Sequence, residues 1–230
     1  MKISIIGLGH FGAPLARSLQ KSGHKIAGTT RTLARKNILE KEIAEVELLN
    51  YPEIPGENLR DSEVMILNIP PFPEQLDWFK SWDLSKDTWI IFISSTSGKK
   101  VLLEEEEWIS SHFNRWTILR FGGLIGHGRH PGKHLSGKTN LPGKLWPVNL
   151  IHLDDCIDLT QAVIDKKIQN EIYSVVSGDH PTREDYYSDY CRRHSLPLPQ
   201  FDQNDLSTKE TISNEKVLRF YPNFRSIRNS

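Results

Sequence analysis

A glycine-rich turn, Gly7-Leu8-Gly9-His10-Phe11-Gly12, carries the clearest chemical signal in this sequence. In such a turn the first glycine permits a tight bend, the second lets the backbone approach a diphosphate, and the third lets the next helix pack closely on the preceding strand. Backbone amides at the start of that helix can bind phosphate oxygens. We therefore predict a dinucleotide-binding turn that comprises Gly7, Gly9, His10, Phe11 and Gly12.

The end of the second predicted strand indicates which dinucleotide fits. An NAD site usually has an acidic residue there that accepts hydrogen bonds from the ribose hydroxyls, but the sequence has Thr30 and Arg31. A hydroxyl beside a guanidinium suits a 2′-phosphate, so we predict NADP, with NAD as the alternative. A simpler interpretation also stays open, in which Arg31 and Arg35 are solvated residues that begin the next helix.

The elements around this turn predict an α/β fold. A β-branched strand at 2–6, a helix that ends near Gly23 and a second strand at 25–28 form one compact unit. Further strands are predicted at 46–49, 64–69, 89–94, 116–119, 149–153 and 172–176, and helices at 31–45, 100–111, from 156, and from 182 to 194. This alternation predicts a Rossmann-like, doubly wound parallel sheet with a small C-terminal substrate-side subdomain.

We expect one integrated domain, with an NAD(P)-binding half at 1–118 and a substrate-side half at 119–230. The strand at 64–69 stops at prolines, which cannot donate to a sheet, so Ile69 and Pro70 are predicted to lie beside the cofactor. The four glutamates at 104–107 are predicted to form a largely solvated helix face.

A long glycine-rich, basic loop at 126–143 is predicted to be functional or mobile. Within it, Arg129, His130 and Lys133 could contact an anionic substrate, although an ordinary basic loop would look the same. His127, His130 and His134 have helical spacing, but the intervening glycines and proline argue against a helix, and we predict no metal site.

Composition restricts the class of protein. The 29 basic and 29 acidic residues cancel, so no overall field favours nucleic acid or an anionic membrane. The sequence has no apolar run of membrane-spanning length, and its two cysteines do not suggest a disulfide framework. We expect that its first residues are not a secretory leader, because their apolar run is short and no cleavage site follows. We expect a cytoplasmic protein that binds a small molecule, and we allow for a homodimer.

Five segments, in family order, resemble the extended and atypical short-chain dehydrogenase/reductases, which include NAD(P)-dependent epimerase- and dehydratase-like proteins. They are the glycine turn at 7–12, the strand end at 91–96, LRF through GHGR at 119–129, NLIHLDD at 149–155 and SNEKV at 213–217. By this resemblance, Thr96 corresponds to the catalytic Ser or Thr, and Lys100, four residues before Glu104, corresponds to the catalytic lysine.

The family's Tyr-xxx-Lys pair is missing, because the residue four positions before Lys100 is Thr96. A threonine is a poor proton donor at neutral pH. The resemblance therefore implies either an atypical NADP-dependent oxidoreductase or epimerase for a nucleotide-linked or phosphorylated molecule, or a non-catalytic dinucleotide sensor. Residues 7–32 also resemble the β-hydroxyacid dehydrogenases, but the strand predicted at 172–176 disfavours their all-helical second domain.

Overall fold

The computed structural model describes residues 1–229, which fall into two compact units. Unit 1 comprises Met1–Arg120 and Ile157–Tyr173, and unit 2 comprises Phe121–Cys156 and the chain from Ser174 onward. Among the described residues, no helix is both long enough and apolar enough to cross a bilayer.

The strands, in chain order, are β1 (Lys2–Ile6), β2 (Lys25–Thr30), β3 (Glu45–Leu48), β4 (Val64–Leu67), β5 (Trp89–Ser95), β6 (Trp116–Phe121), β7 (Gly123–Ile125), β8 (Leu150–His152) and β9 (Glu171–Val175). The α-helices are α1 (Gly12–Lys21), α2 (Leu33–Leu39), α3 (Glu57–Arg60), α4 (Gln75–Lys80), α5 (Lys100–His112), α6 (Gly132–Leu135), α7 (Leu153–Asp165), α8 (Arg183–Arg193) and α9 (Glu215–Leu218). A 3₁₀ turn follows at Ile227–Asn229.

The main sheet has the strand order β3-β2-β1-β4-β5-β6-β9. β1 pairs in parallel with β2 on one side and β4 on the other, and the pairs β2–β3 and β4–β5 are also parallel. The chain thus winds outward from β1 in both directions, and the predicted doubly wound, Rossmann-like sheet is confirmed. β1 and β4 are buried along almost their whole length because both faces of the sheet are covered.

Several boundaries differ from the sequence prediction. β2 continues to Thr30, and the helix predicted at 31–45 is limited to Leu33–Leu39. Thr32 is extended and caps this helix, with its Oγ1 accepting a hydrogen bond from the Arg35 amide. α2 buries only Leu39, so little apolar packing supports a longer helix.

In unit 2, β7 and β8 form a parallel pair that the sequence did not reveal. The helix predicted from residue 156 begins at Leu153, so Asp154 and Asp155 belong to its first turn. Asp155 is fully buried and accepts hydrogen bonds from the Tyr221 hydroxyl at 3.0 Å and from Arg225 Nη1 at 2.6 Å. These bonds fix the C-terminal segment within unit 2.

The prediction that the glutamates of α5 are largely solvated was wrong for two of them. Glu105 and Glu106 are 0% and 3% exposed. Glu106 accepts a hydrogen bond from Ser94 Oγ at 2.5 Å and binds the guanidinium of Arg120, with both of its oxygens within 3.0 Å of Arg120 Nε. This carboxylate ties α5 to β5 and β6.

Glu105 differs from its neighbour because neither of its carboxylate oxygens has a hydrogen-bond partner among the described residues. Burial, together with the charges of Glu106 and Glu104, raises the pKa of Glu105 to about 8. Its carboxyl group is therefore mainly protonated at neutral pH.

The loop at 126–143 is packed against a later part of unit 2. Backbone hydrogen bonds join Gly137 to Pro197, Lys138 to Gln200 and Leu141 to Gln200, at 2.8–3.1 Å. The loop also contains the short helix α6. Much of this long connection is thus held by the segment around residue 200, which the sequence pattern alone did not indicate.

Candidate functional site

A cavity of about 770 Å³ opens in unit 1 at the carboxyl ends of β1, β2 and β4. Its lining comes from residues 6–9, 29–32 and 35, 49–51, 68–72 and 78. This is where the strand order reverses about β1, which is the usual position of a ligand site in an open parallel sheet.

The first glycine forms the turn that begins the site. Gly7 has φ +106°, and a Cβ there would lie 2.1 Å from the carbonyl oxygen of Asn68. Its amide donates to Thr29 Oγ1 at 3.0 Å, and its carbonyl accepts from Asn68 Nδ2 at 2.9 Å. Side chains at the ends of β2 and β4 therefore hold the turn from both sides.

The other two glycines have different surroundings. A Cβ on Gly12 would lie 2.2 Å from the Gly7 carbonyl oxygen, so a side chain there would separate α1 from the turn. Gly9 is exposed on the cavity lining, and a Cβ there would have nothing within 4 Å. The backbone at Gly9 is thus open to a ligand, whereas Gly7 and Gly12 are closely packed.

His10 and Phe11 lie between these glycines and are not part of the cavity lining. Phe11 is 3% exposed, and His10 is half-buried. Neither side chain lines the cavity, so any contribution of these two residues to phosphate binding would come from the backbone.

The end of β2 supplies the positive charge. Arg31 and Arg35 are exposed and line the cavity, next to the buried Thr30. Within the described part of the chain, neither guanidinium has a carboxylate partner. The Thr32 cap begins α2 and brings Arg35 to the same wall as Arg31.

The remaining predicted cofactor contacts, Ile69 and Pro70, form part of the lining that follows β4. Sequence analysis missed Asn50 and three aromatic residues, Tyr51, Phe72 and Trp78, which share this lining. No local pattern marks this aromatic group, because Tyr51 is separated from Phe72 and Trp78 in sequence by β4 and meets them only in the folded chain.

The predicted catalytic residues lie elsewhere in unit 1. Thr96 follows β5 and is half-buried, while the Lys100 side chain is 89% exposed and lies 3.5 Å from Glu104. Neither residue belongs to the cavity lining. The glutamate that α5 buries and pairs is Glu106, and the residue four positions before it is the buried Leu102. If the family's lysine lies four residues before the paired glutamate of α5, its position in this chain is occupied by an apolar residue.

The tyrosines of α8 have pKa values above that of a free phenol. Burial raises the pKa of both Tyr186 and Tyr187. A phenol that exchanges a proton near neutral pH needs the opposite shift.

The three predicted substrate contacts in unit 2 differ in solvent exposure. Arg129 and Lys133 are exposed, and Lys133 Nζ donates to the Gly128 carbonyl at 3.2 Å. His130 is only 5% exposed, and its ring stacks on Tyr190 with centroids 3.6 Å apart. Of the three residues, only Arg129 and Lys133 are exposed enough to contact an anionic substrate, and this role stays a prediction for both.

Both ring nitrogens of His130 have partners inside unit 2. Nδ1 accepts from the Gly132 amide at 3.1 Å, and Nε2 lies 2.9 Å from the Tyr186 hydroxyl. Burial, with smaller effects from Arg193, His194 and Lys133, lowers the pKa of His130 to about 4. The imidazole is therefore neutral at pH 7 and packs as a core residue. Among residues 1–229, no cluster of three His, Cys, Asp or Glu side chains could hold a metal ion.

The strand order, the glycine turn and the cavity beside it define an NAD(P)-binding type of Rossmann fold. Residues 2–95 match the family described as NADP oxidoreductase, coenzyme F420-dependent. Protein YeeZ from Escherichia coli strain K12 is 28% identical over 244 aligned residues, which cover 87% of this chain and 86% of YeeZ.

Solved structures share the fold at low sequence identity. A functionally unknown conserved protein from Silicibacter pomeroyi has a TM-score of 0.77 and 16% identity, covering 96% of this chain and 92% of its own. UDP-glucuronic acid 4-epimerase from Bacillus cereus, in complex with NAD, has a TM-score of 0.74 and 17% identity. The match covers 100% of this chain and 95% of the epimerase. An NADPH-dependent quinone oxidoreductase from E. coli, complexed with NADPH, has a TM-score of 0.70 and 16% identity. The match covers 86% of this chain and 77% of the oxidoreductase. The predicted resemblance to epimerase-like dehydrogenase/reductases is thus confirmed in the fold.

Proposed function

We propose that unit 1 binds NADP and that the chain is an NADP-dependent oxidoreductase or epimerase-like protein of atypical type. The observation that carries the proposal is the pair of guanidiniums, Arg31 and Arg35, that line the cavity without carboxylate partners in the described chain. An exposed pair of cations beside a threonine hydroxyl suits the 2′-phosphate that distinguishes NADP from NAD.

The residues present fit the diphosphate and the 2′-phosphate of this dinucleotide. The open backbone at Gly9 would accept the diphosphate, and Thr30, Arg31 and Arg35 would hold the 2′-phosphate. Ile69 and Pro70 would contact the cofactor from the wall after β4. When bound, the nicotinamide supplies a hydride donor or acceptor.

For the second reactant we propose a nucleotide-linked or phosphorylated small molecule, with Arg129 and Lys133 as its cationic contacts. Both side chains are exposed in unit 2. UDP-glucuronic acid 4-epimerase, the NAD complex named above, supports this choice only by its fold.

A second candidate is a dinucleotide sensor without turnover. It is favoured by the exposed Lys100, the apolar Leu102 and the raised pKa of Tyr186. Two assays separate the candidates: NADPH absorbance at 340 nm with a quinone as hydride acceptor, and chromatographic detection of the 4-epimer after UDP-glucuronic acid is incubated with the protein and NADP. NADPH oxidation or epimer formation supports the enzyme, whereas coenzyme binding with neither product favours the sensor.

Replacing Arg31 with alanine is expected to weaken NADP binding about 10-fold and to leave NAD binding nearly unchanged. One charge-assisted hydrogen bond to an exposed phosphate accounts for an effect of about this size. Isothermal titration calorimetry with both coenzymes measures it.

Lys36→Ala is the matched control, because Lys36 lies on α2 outside the cavity lining and pairs with Glu40. Its NADP affinity should equal that of the wild type. Equal losses of NADP and NAD affinity in Arg31→Ala would remove the proposed 2′-phosphate contact.

A further inference from the structure

Three aromatic residues, Tyr51, Phe72 and Trp78, form what we call the aromatic wall of the cavity in unit 1. The Tyr51 ring meets Phe72 at a centroid distance of 5.4 Å and Trp78 at 5.9 Å, both in edge-on arrangements. Phe72 and Trp78 also contact each other, at 5.7 Å. The two inner rings therefore fix the orientation of Tyr51.

Tyr51 is the exposed member of the wall. It is 52% exposed, whereas Trp78 is 6% exposed and its Nε1 donates to the Glu53 carbonyl at 2.5 Å. An aromatic side chain that lines a cavity, meets two other rings in T-shaped contacts and leaves half of its surface open offers a flat apolar surface to a ligand.

The wall is joined to the cationic end of β2. The Leu49 amide donates to the Thr30 carbonyl at 3.0 Å, and Asn50 Nδ2 donates to the Arg31 carbonyl at 3.4 Å. Tyr51 is the next residue along the chain. The open ring and the unpaired guanidinium of Arg31 thus belong to neighbouring segments that are hydrogen-bonded to each other.

A cation beside a flat aromatic surface matches a ligand that carries a phosphate next to a planar base. A phosphate alone would not use the ring, and an apolar molecule would leave Arg31 unused. Stacking of bases on aromatic side chains is favourable because every base has a π-face.

We infer that Tyr51 is the platform on which the adenine base stacks, so that Tyr51 and Arg31 together recognise a 2′-phosphoadenosine group. This inference rests on the proposed function and makes it more specific. It implies that the adenosine half of the cofactor contributes much of the binding affinity. Unit 1 should therefore also bind nucleotides that carry a 2′-phosphoadenosine group but no nicotinamide. Tyr51 contributes through its ring and not through its hydroxyl.

Calorimetric titration with adenosine 2′,5′-bisphosphate tests the inference in the full chain. The wild type should bind it, Tyr51→Ala should bind it about 10-fold more weakly, and Tyr51→Phe should match the wild type within about 2-fold, since stacking of one base supports a change of about this size. The etheno-adenine analogue of the same bisphosphate adds a spectroscopic readout. Its fluorescence should be quenched on binding to the wild type and to Tyr51→Phe, and much less on binding to Tyr51→Ala.

The outcomes separate this inference from the proposed function. Unchanged affinity and quenching in Tyr51→Ala would overturn the platform while leaving NADP binding intact. Binding of NADP but not of the bisphosphate by the wild type would also overturn it. An equal loss in Tyr51→Phe would assign the effect to the hydroxyl and contradict stacking. Failure of the wild type to bind either ligand would instead reject the proposed function itself.

Discussion

Replacing Gly9 with aspartate is expected to abolish NADP binding while leaving the fold intact. Gly9 is exposed on the cavity lining, and a Cβ there has nothing within 4 Å, so the side chain can be accommodated. Its carboxylate would lie against the cofactor diphosphate. Two unit charges about 4 Å apart near a protein surface repel by about 4 kcal/mol, which corresponds to about a 1,000-fold loss of affinity.

Gly9→Asn provides the matched control, because it has nearly the same size without the charge. We expect calorimetry to give a much smaller loss for this variant, and circular dichroism to show native structure for both. Gly7 and Gly12 cannot serve in this experiment, because a Cβ at either position would lie 2.1–2.2 Å from a backbone oxygen. A folded Gly9→Asp protein with wild-type affinity would show that the diphosphate does not lie at Gly9.

The second large effect concerns stability and arises from Glu105. Its pKa in the folded protein is about 8, above the ordinary value of 4.5, so ionisation opposes folding. This penalty is absent below about pH 4.5, increases as the pH rises toward 8, and is constant above that. Over this interval the wild type should lose about 3 to 4 kcal/mol relative to Glu105→Gln, which cannot ionise.

Urea unfolding at several pH values between 4.5 and 8.5 measures this difference. The unfolding free energies of wild type and Glu105→Gln should separate progressively as the pH rises, with the variant the more stable. Glu107→Gln is the matched control, because Glu107 is exposed on the same helix and its charge is not among those that raise the pKa of Glu105. Its curve should stay parallel to that of the wild type. Parallel curves for Glu105→Gln would mean that Glu105 is already ionised and solvated in the folded protein.

The first half of the fold could be predicted because its determinants are local. The apolar strand β1, the glycines that follow it and the return to β2 all lie within residues 2–30. Gly7 and Gly12 are explained by backbone contacts within the turn and with the end of β4. Periodicity and turn residues are sufficient signals for such a unit.

The features that were missed depend on contacts between distant residues. Burial of Glu106 follows from its pairing with Arg120, and burial of His130 follows from Tyr186 and Tyr190. Acidic or basic residues usually indicate a solvated surface, and nothing nearby in sequence reveals the partner that brings them inside.

The aromatic wall shows the same limit for the site. α4 was not predicted, although it carries the buried Trp78 and Phe79, and prolines precede it at 70, 71 and 73. Tyr51 comes from the segment after β3. Sequence analysis could thus locate the phosphate-binding end of the cavity but not the surface on which a base would stack.

The central claim is that unit 1 binds a nicotinamide dinucleotide at the glycine turn and selects the 2′-phosphate. Isothermal titration calorimetry of the wild-type chain with NADP and with NAD tests it most directly. The structure predicts one site per chain, with NADP bound more tightly than NAD. The absence of heat and of a thermal shift with either coenzyme would contradict the claim.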